Sequence, residues 1–301
     1  MDTQRDSAVV VGVADSVFKG PALRWAAEQA RLEGRTLILA NASGPVSGAR
    51  REYGVGSASS SAVQLREHGD QLLSRARAEV EKVAPDVPVT TVFDIVDPGT
   101  LLNQLSSTAH LLVLGSRGRG PVRSHLLGSV GLSVVRHARC PVVVLRPGDH
   151  PGRVHSGVVV ATEATEDSRP VLAFAFHLAS LRGLPLKVVH FAYDVRSALV
   201  GAPMTRGAGV DMEERARSLS ESLAGYREDH PDVNLVVEVH QGQLPERDLL
   251  RVAGLADIIV VGTHQRGVVK RILGGSVSES VLDHACGAVA VVPTVVDGTN
   301  R

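Results

Sequence analysis

The chain has 301 residues with 32 Lys and Arg against 32 Asp and Glu, so no net field draws it to nucleic acid or to an anionic membrane surface. Apolar residues make up 44% of it but aromatic residues only 3%. That balance suits a Val- and Leu-rich parallel sheet under Ala-rich helices, and it leaves few rings to stack the bases of single-stranded nucleic acid.

The first residues, Met1 to Asp6, are polar. The apolar run after them is about five residues, too short for a signal sequence or a membrane span, and a cytoplasmic protein is expected. Ala8 to Val13 reads as the first strand, ending at the polar turn Ala14, Asp15, Ser16. Pro21 opens a helix with Leu23, Ala26, Ala27 and Ala30 on one face and Gly34 as its stop. Thr36 to Ala42 is a second strand. Ser43 to about Ser61 is a loop rich in Gly and Ser, long enough to serve as a lid. Val63 to Val83 has helical spacing, with Ser74 to Lys82 as a solvated face. Val87 to Val96 is a third strand, Asp97-Pro98 a turn, and Pro98 to Ala109 a third helix. Leu111 to Leu114 reads as a buried parallel strand, Val130 to Arg136 as a helix and Cys140 to Leu145 as a fifth strand. Strands alternating with helices predict an α/β domain with a parallel sheet.

After a turn-rich connection, Arg146 to Gly152, the series restarts at Gly157. Matched residues keep a nearly constant offset: Leu23 and Leu172 differ by 149, while Pro98 and Pro245, Gly115 and Gly262, and Ser129 and Ser276 each differ by 147. Such a period is far too long for a solenoid unit and predicts two whole tandem domains, 1–148 and 153–301.

Between the fourth strand and the fourth helix lies Gly115-Ser-Arg-Gly-Arg-Gly-Pro-Val-Arg-Ser-His-Leu-Leu-Gly-Ser129. Glycines at 115, 118 and 120 let backbone amides approach a ligand, and Ser129 is placed to cap the helix after Gly128. Open amides at a helix N-terminus, with Arg117, Arg119, Arg123 and His125 nearby, describe an anion site suited to phosphate. Neither a Walker A loop nor G-x-G-x-x-G fits the spacing. The bland alternative is a glycine-rich turn that binds nothing.

The pattern G-x2-G-x9-G-[ST] resembles the ATP-binding signature of the universal stress protein family, and the resemblance covers nearly the whole chain, twice. It implies two doubly wound domains, each with a five-stranded parallel sheet ordered 3-2-1-4-5 and helices on both faces. It places the ligand where the winding reverses, between strands one and four. Gly12, Val13, Ala14, Asp15 and Ser16 would then face Gly115, Ser116, Arg117, Gly118, Arg119, Gly128, Ser129 and Val130, with Ala42 bordering the base. The family usually carries Gly-Val-Asp-Gly-Ser at the first strand's end. Copy one has Ala14 where that carboxylate stands and Asp15 one residue later, whereas copy two keeps Glu163. In the glycine loop copy one is complete, whereas copy two has Gly262, Thr263, Gly275 and Ser276 but Gln265 in place of the second glycine. The resemblance therefore implies ATP in copy one, with Mg2+ accompanying the nucleotide, and a weaker site in copy two. There Phe191, the counterpart of Ala42, stacks on a base or fills the pocket.

His190, His240 and His264 have no metal-ligand spacing, and solvated or capping roles are expected for them. No nucleophile elbow, zincin motif or general base is legible. Hydrolysis of ATP, if there is any, would be slow and Mg2+-dependent. Three readings follow: a nucleotide-binding regulatory or stress-response protein, a nucleotide-free interaction module of the same fold, and, last, an enzyme of the broader nucleotide-binding class. Cys140 and Cys286 form no C-x-x-C pair and read as buried, reduced thiols. The resemblance further implies that the fifth strands, Cys140 to Leu145 and Gly287 to Val292, pair across their edges within one chain, and it leaves a homodimer open. No nucleic-acid or membrane partner is expected.

Overall fold

Runs of branched aliphatic residues form the middle of each sheet. The computed structural model describes residues 7–19, 21–44, 58–116, 127–146, 157–192, 212–241, 245–254, 256–263, 277–285 and 287–294. The chain divides into two compact units, Met1–Asp149 and His150–Arg301.

In the first unit the strands are β1 (Val9–Gly12), β2 (Leu37–Ala42), β3 (Val89–Asp94), β4 (Leu111–Gly115) and β5 (Val142–Leu145). They lie in the order β3-β2-β1-β4-β5, and every neighbouring pair is parallel. Val9, Val11, Leu37, Leu39, Leu111 and Val113 are wholly buried, as continuous apolar runs in a sheet covered on both faces should be. Each such side chain contributes about 1.5–3 kcal/mol by leaving water.

Helix α1 (Ala22–Glu33) lays Leu23, Trp25, Ala26, Ala27 and Ala30 against the sheet and stops at Gly34, whose φ of +63° closes the last turn. Helix α2 (Ala58–Val83) starts earlier than its spacing suggests, inside the expected loop; of that loop, residues 45–57 lie outside the described residues. Within the stretch read as a solvated face, Ala76 and Val80 are buried. Helix α3 (Pro98–Leu105) stops short of Ala109. Asp97, read as a turn residue, is its cap: the carboxylate accepts from the Thr100 amide at 3.0 Å, which satisfies one of the helix's open donors. Helix α4 is Ser129–His137.

The second unit repeats the plan with β6 (Val158–Ala161), α5 (Arg169–Arg182), β7 (Leu186–Ala192), α6 (Met212–Ser222), α7 (Ala224–Asp229), β8 (Leu235–Gln241), α8 (Pro245–Ala253), β9 (Ile258–Thr263), α9 (Val277–His284) and β10 (Ala288–Pro293). Its strand order is β8-β7-β6-β9-β10, again parallel throughout. Helix α5 ends at Gly183 with φ +61°, the counterpart of Gly34. Gly157 admits no other residue: its φ is +83°, and a Cβ there would lie 2.2 Å from the Pro185 carbonyl oxygen. No helix among the described residues is long and apolar enough to cross a membrane.

Candidate functional site

Beyond the carboxyl ends of β1 and β4 the first unit opens into a cleft of about 840 Å³, its mouth included. A doubly wound sheet parts at this point because the crossovers from β1 and from β4 leave on opposite faces.

Gly12, Val13, Ala14 and Ser16 form one wall. A Cβ on Gly12 would stand 3.2 Å from Leu114 Cδ2, so a larger residue here would press on the Leu114 side chain. Ala40 and Ala42 lie at the end of β2, and Gly115, Gly128 and Val130 close the far side.

The amino end of α4 is open. Gly128 takes the cap position with φ −61° and ψ 163°, and among the described residues no side chain caps the helix. This corrects the expected capping by Ser129. The cap is the residue whose backbone is extended before the first turn, and Ser129 is already the first helical residue, exposed to solvent. The first amides of α4 therefore have no intrahelical partner and carry the positive end of the helix dipole.

Asp15 is not among the residues lining the cleft. Its carboxylate lies 3.8 Å from His68 Nε2 on α2, both side chains being more than half exposed. Ser116 is not among the residues lining the cleft either; its amide donates to the Leu145 carbonyl at 2.8 Å, so it continues the sheet. Arg117, Gly118 and Arg119 lie outside the described residues, as do Arg123 and His125.

Leu101 and Leu102 of α3, Leu127 and Asn41 also line the cleft, and sequence reasoning missed them. Asn41 had a signal: it is a polar residue in the otherwise aliphatic run Leu37–Ala42. It is 6% exposed, and its Nδ2 donates to the Val13 carbonyl at 2.7 Å.

In the second unit Glu163 is exposed, at the position matching Ala14. Ala164 after it has φ +56°, and the Thr162 hydroxyl accepts from its amide at 3.0 Å. Phe191, at the place of Ala42, inclines its ring toward His240, 5.7 Å between centroids. His190 is buried rather than solvated, its Nδ1 2.9 Å from the Thr162 carbonyl. That carbonyl can only accept, so Nδ1 carries the proton. At the end of β9, Gly262 is hemmed in: a Cβ would lie 2.7 Å from Thr294 Cγ2. The Thr294 hydroxyl donates to the Thr263 carbonyl. Gln265, Gly275, Ser276 and His264 lie outside the described residues.

Comparison with known proteins matches the model of the Universal stress protein family at residues 7–146 and again at 157–293. Universal stress protein Rv2005c of Mycobacterium tuberculosis is 34% identical over 304 aligned positions, covering 97% of each chain. Universal stress protein Rv2623 of the same organism is 32% identical, covering 94% of this chain and 95% of its own. Among solved structures, a universal stress protein from Archaeoglobus fulgidus superposes with a TM-score of 0.68 over 96% of this chain and 97% of its own, at 18% identity.

Proposed function

This chain belongs to the universal stress protein family, and on that premise we propose that its first unit binds ATP in the cleft between β1 and β4 and serves as a nucleotide-dependent regulatory or stress-response protein. The observation that carries the proposal is the uncapped amino end of α4 opening onto that cleft. Amides and dipole together favour the phosphates there, with the Ser129 hydroxyl beside them. The apolar walls from Leu101, Leu102 and Leu127 suit the base, which would border Ala42. Mg2+ would arrive with the nucleotide rather than wait in a protein cage, since no carboxylate lines the cleft among the described residues.

The same composition limits chemistry. No carboxylate or imidazole among the described lining residues is positioned to take a proton from water, so hydrolysis, where it occurs, is slow. The second unit is the weaker candidate, since Phe191 takes the place of Ala42 and Gln265 stands in its glycine loop.

Ala14 favours a second reading, in which the cleft has lost its ligand and the fold survives as a nucleotide-free interaction module. Mass spectrometry of small molecules released by denaturing freshly purified protein, followed by calorimetry with ATP, separates the two. About one ATP per chain supports the nucleotide reading. No released nucleotide and no heat of binding overturns it in favour of the module.

A further inference from the structure

We infer that Asn41 is a positioning residue for the cleft of the first unit: it fixes the peptide between Val13 and Ala14 so that the Ala14 amide N–H faces the ligand. This inference rests on the reading of that cleft as a nucleotide site.

Val13 is tied to β2 through both of its backbone groups. Its amide donates to the Ala40 carbonyl at 2.7 Å, and its carbonyl accepts from Asn41 Nδ2 at 2.7 Å. A carbonyl only accepts, which settles which end of the Asn41 amide faces it. In a planar trans peptide the N–H of the next residue points opposite to the carbonyl. Holding the Val13 carbonyl toward β2 therefore aims the Ala14 N–H toward β4, where Leu114 and Gly115 line the cleft. Among the described residues that N–H meets no acceptor, while the Ala14 carbonyl accepts from Val17 at 2.9 Å.

Packing gives Asn41 no other reason to be there. Its Oδ1 is buried without a partner, beside the place where a Cβ on Gly69 would sit, 3.0 Å away. An unpaired buried acceptor is unfavourable, and a leucine of similar size would avoid it. The donor at Nδ2 is what the residue supplies.

The second unit reaches the same bond by different chemistry. His190, also buried, donates from Nδ1 to the Thr162 carbonyl at 2.9 Å, across the same separation of 28 residues as Asn41 and Val13. Asn and His differ in shape, ring character and titration, and share a donor at that reach. Two unlike residues making one bond at matched positions point to the orientation of the strand-end peptide as the feature both units preserve.

The test compares Asn41→Leu and Asn41→Ala, which remove the donor, with Asn41→His, which replaces it by the other unit's donor. ATP affinity by calorimetry and the urea midpoint are read on the full chain. The donor-less variants are expected to bind ATP about tenfold more weakly, the equivalent of one lost hydrogen bond, and Asn41→His to bind within about threefold of the wild type. A purely structural role would predict affinity losses that follow the midpoint and no rescue by histidine. Folded Asn41→Leu or Asn41→Ala protein that binds ATP as the wild type does overturns this inference alone. A wild-type chain that binds no ATP overturns the nucleotide reading, and the role of Ala14 with it.

Discussion

His110 Nε2 lies 3.0 Å from Glu33 Oε2, joining the last turn of α1 to the residue that precedes β4. The Glu33 side chain is only 5% exposed. It also accepts from Arg35 Nε at 2.9 Å and from Gln29 Nε2 at 2.6 Å. Arg35 in turn donates to the Ser7 carbonyl at 2.9 Å, so one carboxylate ties together the segments entering β1, β2 and β4. Removing one member of a part-buried ionic network leaves the others uncompensated. Glu33→Ala is expected to cost about 2–4 kcal/mol of unfolding free energy by urea titration. Glu33→Gln, which keeps an acceptor and the packing, should cost less than half as much. Equal losses would show that volume rather than the carboxylate matters.

Cys140 is buried just before β5, and burial pushes its thiol up to about 12. At pH 8 a group with that value is thiolate in only about one molecule in ten thousand, and thiolate is the reactive form. Iodoacetamide should leave Cys140 unlabelled in folded protein at pH 8 and label it within minutes in strong urea, read by mass spectrometry of the peptide containing it. Rapid labelling without denaturant would mean that the strand entry opens locally.

Most of the architecture is legible in the sequence because the signals are local and repeated. Unbroken aliphatic runs mark the buried parallel strands, Gly34 and Gly183 mark where matched helices stop, and the constant offset reveals the tandem plan. Half of the candidate site is legible for the same reason: Gly12, Gly115 and Gly128 sit at strand ends and a helix start, and all three line the cleft. The rest depends on directions that spacing does not encode. Asp15 reads as a carboxylate one residue out of place, yet the short helix that begins there turns it toward His68. Ser129 has the composition of a cap and the backbone of a first-turn residue. Asn41 and His190 look unrelated until the fold brings each to the carbonyl at the end of the neighbouring strand.

Glu238 on β8 gives the second unit a pH signature. It pairs with His240 Nε2 at 2.8 Å and Lys187 Nζ at 2.9 Å. Those contacts, His240 first, hold its carboxyl below the ordinary 4.5. A depressed carboxylate stabilises the folded state fully above its unfolded value, and that contribution is lost as pH falls through the lower folded value. With about a third of each side chain exposed, solvent and salt reduce it to at most about 1 kcal/mol. Glu238→Gln should therefore lower stability slightly at pH 7, with the difference closing as pH falls below 4.5 and shrinking at 1 M salt. A difference that grew on acidification below pH 4.5 would reverse the sign and refute the assignment.

Ala164 shows what the strand-end turn demands. Its φ of +56° lies in the left-handed region, where a Cβ crowds the following carbonyl at a cost of about 1–2 kcal/mol. The turn persists because its amide donates to the Thr162 hydroxyl and the Thr162 carbonyl is held by His190. Ala164→Gly removes the crowding, but glycine also adds freedom to the unfolded chain worth about 0.4–1 kcal/mol. The net gain is expected to be about 0.5 kcal/mol. Ala164→Asn, which tolerates the left-handed conformation without that added freedom, should match or exceed it. Ala164→Val, whose branched side chain does not tolerate it, should cost 1 kcal/mol or more, as a rough figure from the same crowding. The order Asn and Gly above Ala above Val, in urea midpoints of the full chain, is the expected result. A valine variant as stable as the parent would mean that this turn relaxes to negative φ in solution, and that the Thr162 hydroxyl does not hold it.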